Sequence, residues 1–335
     1  MRSQVDDAHA AQPQIGPAAA RLAELSLTAV DATAARRWVS REFAFYRDQH
    51  NDEMELEVIG FDLASCLVAQ EHGADRIELC ANPHEGGTTP SYGMIAIARR
   101  YTTIQLFPII RPRGGDFLYT QMEFAAMIAD VEQCGLLGCD GVVIGMLTED
   151  GKVDTDRCAE LIDRAGPMQV TFHRAFDRVQ DPMRSLEDVI ALGCTRILTS
   201  GLHPNVDLGK HTLRALVDAA AQRIVIMPGA GVRSTNILDL AKNTGAKAFH
   251  SSARSTHASK MEYTNPAMGE VLDSIGIDAI EVQALRRNLD RYANERSAVR
   301  FAHVDGQRLP EEPGDPQQHS DSDGEPDDAV PGRVG

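Results

Sequence analysis

The stretch EHGADRIELC, Glu71–Cys80, places a glycine at the end of one predicted helix and a short apolar strand directly after it. The same order recurs in ALGCTRILTS at residues 191–200 and in NTGAKAFHSS at residues 243–252. Glycine just past the last helical residue is typical of a helix C-terminus, and a short β-branched, apolar run is typical of a buried strand. This repeated unit predicts an α/β fold with parallel strands.

Eight such strands are predicted along the chain. Each of the first seven is followed by a segment with helical spacing, such as residues 91–100, 120–136, 182–192 and 234–243, and we expect another helix after the eighth. Eight strand–helix alternations predict a TIM-type (β/α)8 barrel. A doubly wound open sheet is the alternative, but no G-x-G-x-x-G motif follows the first strand. The predicted strands are LEVIG, DRIELC, IQLFPII, GVVIGM, QVTFHR, TRILTS, RIVIMPGAG and AKAFHSSA.

The predicted barrel occupies residues 53–293 and leaves a tail at each end. Residues 1–52 are predicted to be a partly helical or disordered extension. A mitochondrial transit peptide is the alternative there, but acidic side chains such as Glu24 count against it. Residues 294–335 are predicted to be an acidic, disordered tail, because Pro, Gly, Ser and acidic residues dominate its end and bury too little apolar surface to offset chain entropy.

Composition excludes several classes of protein. The 335 residues include 49 acidic and 33 basic side chains, and the net charge of −16 argues against a general nucleic-acid or anionic-membrane binder. No apolar run is long enough to span a bilayer, and no segment resembles a secretory signal. The six cysteines are scattered, with no Cys-x-x-Cys pair, which indicates reduced thiols. We therefore expect a soluble, cytoplasmic protein with no nucleic-acid or membrane partner.

Polar side chains cluster at the predicted C-terminal ends of the strands. In TIM barrels chemistry occurs at that end, whereas the opposite end serves stability. The sequence therefore predicts one site at the barrel mouth. Its candidate residues are Glu57, Glu78 with Cys80, Arg111 with Arg113, His173 with Arg174, Thr199 with Ser200, Gly229 with Gly231, and His250 with Ser251 and Ser252.

Two arginines follow the third predicted strand, in PIIRPRGGDF. Arg111 and Arg113 alternate around a proline, so in an extended strand both side chains point to the same side. Proline favours extension of the residue before it, and the following glycines allow backbone N–H groups to approach a ligand. We therefore expect the two arginines to bind an anion. The alternative is that they pair with the protein's own acids, Glu57, Glu78 or Asp116.

Further candidates follow the fifth, seventh and eighth strands. His173 is a candidate general base or metal ligand, and a hydrogen-bonded core histidine is the alternative. The stretch MPGAGVRSTN predicts a glycine-rich turn into a helix that begins near Ser234, an arrangement that binds phosphate or carboxylate. The stretch FHSSARS after the eighth strand supplies hydroxyls and Arg254 beside it. The predicted anion-binding set is Arg111, Arg113, Arg174, Ser200, Gly229, Gly231 and Ser251.

Eight ordered motifs resemble the CutC copper homeostasis family: GADRIELC, EGGTTPS, PIIRPRGGDFLY, LTEDG, QVTFHRAFD, RILTSG, IMPGAGV and FHSSAR. The resemblance covers about Leu56 to Tyr292 and leaves both tails outside. It implies a TIM-type barrel that is cytoplasmic, forms a homo-oligomer, binds Cu(I) and takes part in copper handling.

The resemblance also implies a copper ligand. Cu(I) prefers thiolate and thioether ligands, and Cys80 matches the family cysteine of the ELC block. Family members proposed to hold Cu(I) with two thiols carry a second cysteine where this chain has Ile59, and Cys66 on the following helix is a poor substitute. The other side chains that could contribute are Met146, Met227, His173 and His250.

Two functions stay open at this point. The first is a copper homeostasis protein that binds Cu(I) through Cys80. The second is a TIM-barrel enzyme that acts on a small phosphorylated or carboxylated metabolite. In that case Glu57 or Glu78 transfers protons, His173 assists as acid or base, and the arginines and the glycine-rich loop hold the anion. A purely structural role fits less well, because a scaffold does not need charged groups that converge at one end of a barrel.

Overall fold

The computed structural model describes residues 54–305. The predictions for the extension at residues 1–52 and for residues 306–335 of the acidic tail lie outside the described residues. The last helix runs to Asp305, so the predicted barrel boundary at residue 293 falls inside a helix.

Each of eight short parallel strands leads into a helical segment, and an antiparallel hairpin follows the eighth. The parallel strands are β1 Glu55–Gly60, β2 Arg76–Leu79, β3 Gln105–Pro108, β4 Gly141–Ile144, β5 Gln169–Phe172, β6 Arg196–Thr199, β7 Val225–Pro228 and β8 Ala248–Ser251. The hairpin strands are β9 Arg254–His257 and β10 Ser274–Ile277. The helices are α1 Leu63–Glu71, α2 Tyr92–Tyr101, α3 Gln121–Leu136, α4 Thr155–Ala165, α5 Pro182–Leu192, α6 Val206–Ala220, α7 Ile237–Thr244 and α8 Ala279–Asp305.

The strand order is that of a TIM-type barrel. One set of paired strands runs β3-β2-β1-β8 and the other runs β4-β5-β6-β7. The two sets meet where Ile110 N–H donates to the Val143 carbonyl at 2.8 Å, and β7 lies beside β8, where a Cβ on Gly229 would come within 3.3 Å of the Cβ of His250. The first strand thus pairs with the last, as in a barrel. The barrel prediction is confirmed, and the doubly wound alternative is wrong.

Local sequence signals fix most helix boundaries. Thr120 and Glu123 form a reciprocal capping box at the start of α3, and Gly193 ends α5 with a φ of +86°. Three of the four helices predicted with explicit bounds start within one residue of the prediction. The fourth was placed too early: α7 begins at Ile237, after a turn at residues 234–236 in which Asn236 N–H donates to the Arg233 carbonyl at 3.1 Å. The N–H and the hydroxyl of Ser234 in this turn both donate to the Glu281 carboxylate, at 2.8 and 2.7 Å.

The barrel is packed on both sides of its strands. Outward side chains such as Leu56 and Ile77 join the helices in one apolar core, and full burial of each contributes about 1.5–3 kcal/mol. Inside the barrel, Phe107 lies beneath the guanidinium groups of Arg76 and Arg196, which are 5.1 and 5.2 Å from the centre of its ring. Within residues 54–305, no helix has the length and apolar character that a membrane span requires.

Candidate functional site at the barrel mouth

A cavity of about 380 Å³ opens at the C-terminal ends of the strands. Alternation along each strand turns every second side chain inward, and the last inward residues surround this space. The sequence-predicted residues that line it are Glu78, Arg111, His173, Arg174, Gly231, His250 and Ser252.

A buried chain of charged groups lies at one side of the cavity. Arg76 Nε donates to Glu57 Oε2, and His250 Nδ1 donates to Glu57 Oε1 at 2.7 Å. The other ring nitrogen, His250 Nε2, lies 3.7 Å from Glu78 Oε2. Because an ionised carboxylate only accepts hydrogen bonds, Nδ1 carries a proton and Nε2 is the nitrogen that faces Glu78. The chain therefore connects the barrel interior to the cavity.

The environment sets the charge of each member of this chain. Burial alone would raise the pKa of Glu57, but the charge of Arg76 and the hydrogen bond from His250 lower it to about 2. Burial would lower the pKa of His250, but the hydrogen bond and charge of Glu57 and the charge of Glu78 raise it. Glu57 is thus an anion that orients an imidazole, the arrangement of a general base held by a carboxylate.

Glu78 is the member of the chain that lines the cavity. Burial raises the pKa of Glu78 to about 7, although the charge of His250 opposes this rise. A carboxyl group that gains and loses a proton near neutral pH is suited to acid–base chemistry. The neighbouring Cys80 thiol is also buried, and burial together with the charges of Glu78 and Glu57 raises its pKa. Cys80 is therefore protonated at neutral pH.

His173 lines the opposite side of the cavity as a neutral imidazole. Burial lowers the pKa of His173 to about 3, and the charges of Arg111 and Arg174 contribute. Its Nδ1 accepts the N–H of Ala175 at 3.1 Å, so the proton of the neutral ring is on Nε2. No group in the described part of the chain pairs with that Nε2. His173 is therefore a buried hydrogen-bond donor at the cavity, and its low pKa makes it a poor general base at neutral pH.

The structure separates the two arginines of the PIIRPRGGDF stretch. Strand β3 ends at Pro108, so the following residues form a loop and the expected two-residue alternation does not apply. Arg111 turns inward and donates to the backbone carbonyls of Glu85, Gly87 and Gly115 at 2.7, 2.8 and 3.1 Å. It lines the cavity with its side chain buried.

Arg113 lies outside the cavity lining, with 39% of its side chain exposed. It pairs with Asp116 at 2.9 Å and with Glu123 at 2.6 Å. The expectation that both arginines point to the same side is wrong. Arg113 instead pairs with the protein's own acids, which was the alternative.

Three other residues of the predicted anion-binding set lie outside the cavity lining. The Ser200 hydroxyl is within 3.0 Å of Asp177 Oδ2 and within 2.5 Å of the His203 carbonyl, and the Ser251 hydroxyl donates to the Val232 carbonyl at 2.7 Å. These two hydroxyls are therefore already used in hydrogen bonds within the fold. Gly229 is also structural, because a Cβ there would lie 2.3 Å from Leu198 Cδ1.

Arg174 lines the cavity, but its charge is already paired. Its Nε donates to Asp177 Oδ2 at 2.7 Å, and Asp177 also accepts from the Thr199 hydroxyl and the Ser200 N–H at 2.5 and 2.9 Å. These bonds tie the turn after β5 to the end of β6. Arg174 therefore contributes less to anion binding than the sequence predicts.

Glu57, Glu78 and His250 each place a potential metal-ligand atom within 4.8 Å of the others. Carboxylate oxygens and imidazole suit divalent ions better than Cu(I). Both oxygens of Glu57 already accept hydrogen bonds, from Arg76 and His250. Glu78 and His250 Nε2 are thus the open donors of this cluster.

Soft ligands are sparse at the mouth. Cys80 packs in a small apolar cluster with Ile59, the residue at the position of the second family cysteine. The other five cysteines belong to the core between strands and helices, as does Met146, and Met227 Sδ accepts a hydrogen bond from Arg76 at 3.6 Å. Cys80 does not line the cavity, although its thiol interacts with Glu78, which does. A two-thiolate site does not fit the described part of this chain.

Sequence reasoning missed several residues of the site. Arg76 was detectable, because it is two residues before Glu78 on β2 and so faces the same side. Phe117 lines the cavity from the loop after β3, and Arg178 lines it from the end of a short 3-10 helix, Arg174–Arg178, where no strand periodicity predicts the direction of a side chain. Arg254, which the sequence places beside the hydroxyls of the eighth strand, lines the cavity from the start of β9.

Comparison with known proteins identifies close relatives. The sequence profile of the CutC family matches residues 54–255. A family protein CutC from Chromobacterium violaceum is 51% identical over 244 residues, which cover 70% of this chain and 98% of the relative. A family protein CutC from Xylella fastidiosa is 49% identical over 240 residues, which cover 71% of this chain and 90% of the relative.

A solved structure is also similar. It is that of a candidate copper homeostasis protein, CutC from Streptococcus agalactiae, with a TM-score of 0.57 and 34% sequence identity. The match covers 59% of this chain and 97% of that chain.

Proposed function

This chain belongs to the CutC family, and on that premise we propose that it is a copper homeostasis protein of the CutC type. The observation that carries the proposal is the family match together with the copper role in the name of the Streptococcus agalactiae protein. The cytoplasmic location and the homo-oligomeric state that the resemblance implies belong to the same proposal.

Direct binding of Cu(I) rests on Cys80 in this proposal. A single thiol with a raised pKa must lose its proton when it binds the ion, and with Ile59 beside it there is no second thiolate at hand. We therefore expect a weak site, and we derive no further step through the ion.

A competition titration with a Cu(I) chelator tests this site. Cys80→Ala should lose affinity for Cu(I), whereas Cys66→Ala should not, because Cys66 is equally buried but packs in the outer core. Ile59→Cys should strengthen binding at least tenfold by supplying the second soft ligand. Equal affinities of the parent protein and Cys80→Ala would refute direct binding at this cysteine.

A second candidate function is acid–base catalysis on a small anionic metabolite. The observation that favours it is the chain Glu57–His250–Glu78, which ends at the cavity in a carboxyl group whose pKa is raised to about 7. In this function Glu57 orients His250, and His250 Nε2 and Glu78 exchange protons with a bound molecule.

Incubation with pooled phosphorylated and carboxylated metabolites, followed by mass spectrometry, tests the catalytic function. We expect one compound to be consumed by the parent protein and not by His250→Asn or Glu78→Gln. Arg113→Gln is the matched control, because it removes an arginine from the same loop as Arg111 but lies outside the cavity lining. Consumption that persists in both His250→Asn and Glu78→Gln would refute this assignment.

A further inference from the structure

The mouth cavity has two separate sets of open hydrogen-bond donors. Two of the four arginines that line it, Arg178 and Arg254, have no carboxylate within 4 Å and no hydrogen-bond partner for their guanidinium groups among residues 54–297. Each lies against an aromatic ring, 5.8 Å from the centre of Phe117 and 5.1 Å from that of Phe61. Such stacking holds a planar guanidinium in place and leaves its N–H groups open.

The first set surrounds Phe117. Arg111 lies over the ring at 5.0 Å, Arg178 at 5.8 Å, and the His173 ring is 4.9 Å from it between centres. Arg111 and His173 are only 5% and 3% exposed, yet Arg111 Nε and His173 Nε2 have no hydrogen-bond partner among the described residues. A buried donor without a partner is destabilising, so a ligand that accepts from both offsets that loss.

The second set lies at the ends of β7 and β8. Ala230 and Gly231 have consecutive positive φ values of +79° and +88°, a strained conformation for alanine. Within residues 54–305, the backbone N–H groups of these two residues donate to no protein acceptor. Both residues line the cavity together with Arg254. Successive free N–H groups beside a guanidinium form an anion-binding site.

The two sets lie on opposite sides of the mouth. In the strand order, β4 and β5 stand across the ring from β8 and β1, so the Phe117 set faces Arg254 and the loop after β7. Glu78 and His250 belong to the strands next to the second set. A cavity of about 380 Å³ is the size of a small-metabolite site.

We propose that this cavity binds a small molecule with two anionic groups. A carboxylate binds to Arg111, Arg178 and His173 Nε2–H, and a phosphate binds to the N–H groups of Ala230 and Gly231 and to Arg254. This inference specifies the substrate class of the second candidate function. It rests on that function only in taking the cavity to be a ligand site. It does not depend on copper.

Calorimetric titration of the full chain with four probes tests the inference. The probes are 3-phosphoglycerate, which carries both groups, glycerol 3-phosphate and glycerate, which carry one each, and inorganic phosphate. We expect 3-phosphoglycerate to bind at least tenfold more tightly than any of the other three. Equal affinity for the two-headed probe and a one-headed probe, or no binding of any probe at millimolar concentration, would overturn the proposal.

Variants assign the two ends of the cavity. Arg254→Gln should weaken the binding of glycerol 3-phosphate at least fivefold and leave the affinity for glycerate within twofold of the parent value. Arg178→Gln should weaken the binding of glycerate and leave that of glycerol 3-phosphate nearly unchanged. Neither guanidinium has a hydrogen-bond partner in the described chain, so we expect both variants to fold, and thermal unfolding checks this. Arg113→Gln is the control and should bind every probe as the parent does. Binding that survives both variants would refute the site.

The outcomes separate this inference from the functions above. Binding of the two-headed probe without turnover supports the inference and counts against catalysis. Turnover of a molecule that lacks two anionic groups supports catalysis and overturns the inference. The Cu(I) titration with Cys80→Ala is read independently of both.

Discussion

Arg76 and Arg196 lie inside the barrel over Phe107, whereas Arg178 and Arg254 lie at its mouth over Phe117 and Phe61. The interior pair is bonded within the fold: Arg76 pairs with Glu57, and Arg196 donates to Gln169 and Thr195 at 2.9 and 3.2 Å. The mouth pair has no such partner among the described residues. The same side chain on the same kind of ring thus stabilises the fold in one region and stays available to a ligand in the other.

The largest expected effect tests the interior half of this comparison. Arg76→Met leaves the ionised Glu57 buried without its cation, which should lower the free energy of unfolding by about 3–5 kcal/mol. Urea denaturation at pH 7 measures the loss. Arg178→Met, the matched change at the mouth, should alter stability by no more than about 0.5 kcal/mol.

The double variant Arg76→Met with Glu57→Gln supplies the control. Removal of the buried negative charge should restore part of the lost stability. Equal losses in the free energy of unfolding for Arg76→Met and Arg178→Met would contradict the distinction between a structural arginine and one available to a ligand.

The next effect concerns His173 and pH. The pKa of His173 is about 3 in the folded protein and is ordinarily 6.5, so the unfolded chain binds its proton first as pH falls. This contribution to stability is complete above pH 6.5 and is lost as pH drops toward 3. Between pH 6.5 and 4.5 we expect a loss of roughly 2 kcal/mol from this group.

His173→Asn should remove that part of the pH dependence, because an amide oxygen replaces the acceptor for the Ala175 N–H without titrating. Urea denaturation of parent and variant at several pH values gives the difference, in which titrations common to both cancel. Glu78 changes stability with pH in the opposite direction, because its raised pKa favours folding at low pH. The stability curve of either protein alone is therefore not diagnostic. A difference that does not change with pH would refute a neutral His173.

A smaller effect tests the glycine-rich loop of the mouth. Gly231→Ala forces an alanine into a φ of +88°, which should cost about 1 kcal/mol in thermal unfolding. Gly138→Ala is the matched control: Gly138 also has a positive φ, and a Cβ there meets nothing within 4 Å. Both variants should lose similar stability, but only Gly231→Ala should weaken binding of glycerol 3-phosphate. Equal binding by the two variants would contradict a role for this loop.

A small effect is also expected for Arg113. Its ion pairs with Asp116 and Glu123 are partly exposed, so Arg113→Gln should change stability by less than about 1 kcal/mol. The loss should shrink further in high salt, as expected for exposed charges. A larger, salt-independent loss in urea denaturation would place Arg113 with the interior arginines.

The sequence was a reliable guide where periodicity applied. The eight strands were predicted from apolar runs, and Glu78, His173 and His250, which were expected at converging strand ends, line one cavity. Glu57 was also expected at a strand end, but it is the third of six residues in β1 and lies outside the cavity lining. Arg113 was misplaced because the chain leaves the strand after Pro108, and loop side chains follow no period. Arg178 was missed for a similar reason, whereas Arg254 was expected beside the hydroxyls of the eighth strand. Ser200 and Ser251 were correctly placed near the mouth, but a sequence does not show which hydroxyls the backbone already uses.

The amino-acid sequence by itself determined the barrel, the family and the end of the barrel at which polar side chains surround a cavity, because short-range patterns encode strands, helices and their order. Only the tertiary structure decided which charges are neutralised and which stay open. Glu57 and His250 are 193 residues apart in the chain yet 2.7 Å apart in the fold. Whether a buried charge is paired depends on such contacts, and no local pattern contains them.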